Sequence, residues 1–200
     1  MGSYFKGGDQ PIMRRSLLTL SLFVLILTRV GCGQRQAPPP PKPVVPAFHT
    51  FQSPAGDFEL TYATANWEVE KDTSVAFSLR HKTEPATLQL IESDLGQPLK
   101  RSDLRMFSGI TIASVKEGFK NFKEVGKADT IFAGQPAHQF TFTCTESDTL
   151  MRMRMIFFGS GTKVYALIIG AEAERYHQIA PDVEKMLGTF KVASSGPAKP

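Results

Sequence analysis

Four histidines, two cysteines and two arginines set one residue apart carry most of the chemistry open to this chain, and their spacing limits it. His49, His81, His138 and His177 stand singly, without the H-x-x-x-H interval that presents two imidazoles to one metal ion. Cys32 and Cys144 are too far apart in sequence for a C-x-x-C motif, and there is no G-x-S-x-G elbow, phosphate-binding P-loop or dinucleotide fingerprint. No catalytic residue and no metal ligand is therefore assigned, and no enzymatic activity is expected. His138, between Gln135 and Gln139, reads as a surface or internally satisfied strand histidine. Cys144 shares a strand face with Phe140 and Phe142, opposite Thr141, Thr143 and Thr145, which makes it a buried core thiol rather than a reactive one. Arg152 and Arg154 alternate with Met151, Met153 and Met155, so both guanidiniums fall on one strand face. There they either grip a carboxylate or phosphate or are simply solvated, and they are the candidate contact to an anion or a partner.

Cys32 is placed for a different reaction. Arg14 and Arg15 precede an apolar run, Leu17 to Leu27, that is short of the roughly 20 residues a membrane-spanning helix needs but fits the hydrophobic region of an export signal. Val30-Gly31-Cys32, directly after it, resembles the lipobox of bacterial lipoproteins, in which the thiol receives a diacylglyceryl group and becomes the mature N-terminus. Arg29 departs from that pattern, which has an aliphatic residue three places before the cysteine. The reading favours lipid attachment at Cys32, palmitate being a typical acyl chain. Plain export with nearby cleavage and an uncleaved anchor remain as alternatives. Two or more acyl chains give lasting attachment, at about 0.8 kcal/mol per buried CH₂. Residues 1–31 are thus read as leader and signal peptide, with Met13 rather than Met1 the expected start.

Residues 32–48 form a spacer, with Pro38, Pro39, Pro40, Pro41, Pro43 and Pro46 enforcing an extended polyproline II path. Such a spacer holds the folded domain away from the lipid headgroups. Residues 49–192 have the length and apolar content of one domain, and residues 193–200 are disordered by composition. The net charge of +4 comes mostly from the leader. Without Lys6, Arg14, Arg15, Arg29 and Asp9, 19 basic residues face 18 acidic ones. That balance argues against nucleic acid as a partner, which calls for a basic stripe.

The elements that would position these residues are set by periodicity. Phe58, Leu60 and Tyr62 alternate with polar residues after the turn Ala55-Gly56-Asp57, and Trp67 and Val69 repeat the pattern, with Trp67 a core anchor. Ser74–Arg80 and Thr87–Ser93 predict two further strands. The period then changes: with Ser102 as N-cap, Leu104, Phe107, Val115 and Phe119 lie on one face of an amphipathic helix. A strand region from Asp129 to Ser147, the alternating Met151–Phe158, a turn at Gly159-Ser160-Gly161 and Lys163–Gly170 predict an antiparallel meander, its last strand apolar on both faces and therefore central. A second helix is expected within Ala171–Phe190, led by Glu172 and Glu174, kinked or divided at Pro181 and ended by Gly188. Its apolar stripe is Tyr176, Ile179, Val183, Met186 and Leu187. Thr189–Val192 adds a short edge strand.

Three stretches in this order resemble the PsbP and DcrB-like family: F-Q-S-P-A-G-D-F-E-L-T-Y from Phe51 with Trp67 beyond it, T-I-F-A-G-Q-P-A-H-Q-F from Thr130, and K-V-Y-A-L from Lys163 followed by a helix and G-T-F-K-V. The family commonly has proline after the tyrosine of the first stretch, where this chain has Ala63. The resemblance covers His49 to Val192 and implies an α+β fold, an α/β/α sandwich with a central antiparallel sheet flanked by helices, and a non-enzymatic role. It also implies association with photosystem II and calcium, though the sequence has no clustered carboxylates for a calcium site, and no cofactor is otherwise expected. The functional expectation is a lipoprotein anchored in the cell envelope at its periplasmic or extracytoplasmic face, acting as an accessory or protein-interaction module. Its partners would be the membrane, through the lipid, and an unidentified envelope protein. The alternative is an envelope protein that binds a small molecule or hydrolyses one at an unrecognised site.

Overall fold

The computed structural model describes residues 47–193; the expected signal segment, Cys32, most of the proline-rich spacer and nearly all of the tail lie outside the described residues. Ten strands and two helices are arranged in the order β1 (Phe48–Gln52), β2 (Phe58–Ala63), β3 (Trp67–Val69), β4 (Phe77–His81), β5 (Ala86–Asp94), α1 (Arg101–Gly118), β6 (Lys120–Phe132), β7 (Gln135–Glu146), β8 (Thr149–Ser160), β9 (Lys163–Glu172), α2 (Tyr176–Thr189) and β10 (Lys191–Val192). Seven strands form one antiparallel sheet in the order β3-β4-β5-β9-β8-β7-β6, and β1, β2 and β10 form a second, three-stranded one.

Strand β9 sits fourth of the seven, as expected from its two apolar faces. Tyr165, Leu167 and Ile169 enter one core, and Val164 and Ala166 enter the other. The first core is closed by α2, through Ile179, Val183 and Met186, together with β2, through Phe58 and Leu60; the second is closed by α1, through Leu104, with Phe107 and Val115 packed against it. This corrects the expected sandwich in one respect. Helix covers one face of the large sheet alone, while the other face is covered by a helix and a three-stranded sheet together, so the fold is richer in sheet than in flanking helix. Trp67 and Cys144 are fully buried, as their strand patterns required. Burial raises the Cys144 thiol above its ordinary range.

Local departures have local causes. Helix α1 begins two residues earlier than Ser102 as N-cap predicts, with Lys100 as the N-cap, because the Asp103 carboxylate accepts the backbone N–H of Lys100 at 2.9 Å. Strand β9 runs on to Glu172, so the acids expected to lead α2 precede it. Pro181 lies within a continuous α2 on its exposed side, and the carbonyl it leaves without a donor belongs to exposed His177, where water can serve it. The helix passes Gly188 and ends when the Thr189 hydroxyl bonds the Met186 carbonyl at 2.7 Å and accepts the Thr61 N–H at 3.0 Å, which fastens α2 to β2.

The hairpin turns also differ from expectation. Gly159 and Ser160 belong to β8, and the turn is Gly161-Thr162. Gly159 is needed for packing, since a Cβ there would stand 1.9 Å from Leu99 Cδ2. Ala133-Gly134 and Ser147-Asp148 connect the neighbouring hairpins with positive φ at both residues, the geometry of a type I′ turn. Ser147 and Asp148 are exposed, so replacing them with Asn-Gly relieves left-handed strain without touching the core. The double substitution is expected to raise unfolding free energy by about 0.5–1 kcal/mol in urea titrations.

Candidate functional site

Period-two alternation along β8 puts Arg152 and Arg154 on the face of the sheet shared with α2. Arg152 lies between Thr143 on β7 and Ala171 on β9, and Arg154 between Thr141 and Ile169. Beyond them the face is open: Thr141, Thr143 and Thr145 are half-buried, and Lys123, Gly126, Ala128 and Thr130 on edge strand β6 are exposed. Two bulges and the lysines at 120, 123 and 127 guard that edge against pairing with another strand.

The two arginines are not alike. Arg154 has its Nε and Nη2 3.1 and 2.8 Å from Gln139 Oε1, and its Nη1 donates to Glu184 Oε1 of α2. Its side chain is only 18% exposed, so it is a paired structural group and not the solvated arginine that a strand face usually carries. Arg152 instead lays its guanidinium over the ring of Tyr176, 4.9 Å from the centroid, and its buried Nε has no hydrogen-bond partner among the described residues. Burial pushes the Tyr176 phenol above its ordinary range, against the opposing pull of the two guanidiniums. In the sequence Tyr176 is only one member of an apolar stripe, and Gln139 and Glu184 carry no signal at all. The fold alone brings Glu184 to Arg154, thirty residues away.

On the opposite face, His138 on β7 lies with Nδ1 2.5 Å from Asp129 Oδ1, and Arg105 of α1 reaches Asp129 Oδ2 at 3.5 Å. The histidine is thus internally satisfied. It lines a groove of about 340 Å³ with Asp129 and Ser108. The Ser108 hydroxyl donates to the Arg105 carbonyl at 3.0 Å, so the nucleophile-to-base hydrogen bond of a Ser-His-Asp arrangement is not made.

The described carboxylates do not fit a calcium ion, which takes roughly six to eight oxygens. Among the described residues no three acidic, histidine or cysteine side chains converge as a metal cage, and the acids that share a partner are already neutralised, Asp57 and Glu92 by Lys163 and Glu84 and Glu172 by Arg175. Among the described residues no helix is long and apolar enough to cross a membrane.

No protein-family profile matches the chain, and no curated protein does. Solved structures do. The cyanobacterial PsbP (CyanoP) from Synechocystis sp. PCC 6803 superposes with a TM-score of 0.56 at 13% identity, over 81% of this chain and 97% of its own. The domain has a PsbP-like fold. LpqN, involved in cell envelope biogenesis in Mycobacterium tuberculosis, gives 0.57 at 10% identity, over 73% of this chain and 90% of its own. A Bacteroides thetaiotaomicron protein gives 0.54 at 14% identity, over 76% and 50% of the two chains. At these identities the likeness establishes the PsbP-like architecture, and the chemistry of the Arg152 face must be taken from this chain's own residues.

Proposed function

We propose that this chain is a lipoprotein of the cell envelope whose PsbP-like domain acts as a non-enzymatic accessory module, held on a proline-rich stalk and docking a protein partner. The observation that carries the reading is the sheet face around Arg152, which is open, polar and furnished with a stacked guanidinium. Support comes also from the fold shared with LpqN, whose own role is in envelope biogenesis, and with CyanoP. Crosslinking in intact membranes is the test. A stoichiometric protein partner is expected, and recovery of the chain alone refutes the reading.

The tether is checked separately. The intact mass of the mature protein is expected to correspond to a chain beginning at Cys32 and bearing a diacylglyceryl group with a further acyl chain. A Cys32→Ala chain is expected to leave the membrane fraction. Unmodified Cys32 in the mature protein sinks the tether.

The hydrolytic alternative has one place to reside, the groove lined by Ser108, His138 and Asp129, although the Ser108 hydroxyl there is turned to the Arg105 carbonyl. Labelling by a fluorophosphonate that is lost in Ser108→Ala would establish it, and absence of labelling rejects it.

A further inference from the structure

Arg154 is neutralised within the chain, and Arg152 beside it is not. Among the described residues no carboxylate lies within 4.0 Å of the Arg152 guanidinium. A buried charged donor left without a partner is costly, so the orphaned Nε calls for an acceptor. The group is held ready for one. The Tyr176 ring lies against the guanidinium and the Nε is itself enclosed, while the residue as a whole is only half-buried, between the short cross-strand neighbours Thr143 and Ala171. Two further features favour an anion there. Tyr176 opens α2, whose first turn carries no acidic residue to offset the positive end of the helix. Leu150, two residues along the same strand face, is 51% exposed and offers an apolar shelf.

We propose that Arg152 is the receptor for a carboxylate of the partner protein, an aspartate or glutamate side chain whose apolar neighbour lies on Leu150. The inference rests on the interaction-module reading and names the contact that module makes. A carboxylate is chosen over a phosphate because the site offers one uncompensated positive charge. The planar fork then matches a single carboxylate through two parallel hydrogen bonds.

The test uses the full chain in detergent micelles, with arginine Nε–H resonances followed by ¹⁵N spectroscopy. The probes are acetyl-Leu-Glu-amide, acetyl-Leu-Gln-amide and inorganic phosphate. The Glu probe is expected to move the Arg152 signal saturably and the Gln probe to leave it still. Arg152→Lys, which keeps the charge and loses the fork, is expected to weaken the Glu probe roughly tenfold. Glu184→Gln, which frees Arg154 from its counter-ion, is expected to tighten the same probe several-fold, and it decides the matter should Arg152→Lys not fold. Equal response to the Glu and Gln probes, tighter binding of phosphate than of the Glu probe, or affinity unchanged in either variant overturns the assignment. Membrane crosslinking keeps the two readings apart, since a partner still captured by Arg152→Lys leaves the module standing and removes only this contact.

Discussion

Phe158→Ala is expected to cost about 3–5 kcal/mol of unfolding free energy, a large share of the roughly 5–15 kcal/mol that holds a domain of this kind together. Phe158 is fully buried, its ring 5.1 Å from Tyr165, 5.0 Å from Phe132 and 5.6 Å from Phe190. Phe190 in turn stacks on Phe58 of β2 at 5.8 Å. The cluster thus joins β6, β8 and β9 of the large sheet to the three-stranded sheet, and truncating its centre removes ring contacts on every side while opening a cavity that these strands cannot close. Urea denaturation measures the effect, with Phe158→Leu recovering most of it. Met106, 62% exposed on α1, supplies the control, because Met106→Ala is expected to change stability by no more than about 0.5 kcal/mol. A Phe158→Ala loss no greater than that of the control refutes the account of the core.

What was legible in the sequence was whatever faces one core. Strand β2 buries Phe58, Leu60 and Tyr62 in strict alternation, and β9 buries both faces, so pattern alone placed the first as half-covered and the second as central. Strand β6 escaped over Lys120–Ala128 because, apart from Phe122, which packs on Phe140 and Phe142, this edge strand is exposed on both faces and shows no period of two. The three-stranded sheet was hidden for a related reason. Phe58 and Leu60 look the same to the sequence whether the strand lies in the main sheet or against it, and only the pairing of β2 with β1 and β10 tells.

The candidate site was half legible. Alternation with the methionines placed Arg152 and Arg154 on one face, but their unlike fates depend on α2. Glu184 reaches Arg154 and Tyr176 reaches Arg152, across about thirty and twenty-four residues of intervening chain respectively, a pairing that no local rule encodes. His138 shows the opposite case, because Asp129 faces it directly across the β6–β7 pair, a contact implied once the hairpin register is fixed.

Replacing Lys163 by Met is expected to destabilise the domain by about 2 kcal/mol at neutral pH, less than for a fully buried pair because water still reaches these groups. Lys163 Nζ lies 2.5 Å from Asp57 Oδ2 and 2.6 Å from Glu92 Oε1, with the three side chains 24%, 28% and 25% exposed. Asp57 precedes β2 and Glu92 lies on β5, so the ammonium fastens the small sheet to the large one. Its loss would leave two carboxylates facing each other. Hydrogen bonds to the two carboxylates, reinforced by their charge, hold the Lys163 ammonium well above its ordinary range. A raised folded-state value fixes the sign of the pH dependence: the stabilisation is fully present below the unfolded lysine value of about 10.4 and is lost as pH rises through the higher folded value. The gap between wild type and Lys163→Met should therefore stay constant from about pH 6 to pH 9 and narrow only above about pH 10.4. Adding Asp57→Asn and Glu92→Gln to the variant should return part of the lost stability, since the penalty lies in the stranded charges rather than in the missing amine. Equal melting temperatures for wild type and Lys163→Met at neutral pH would show that the triad does not couple the sheets.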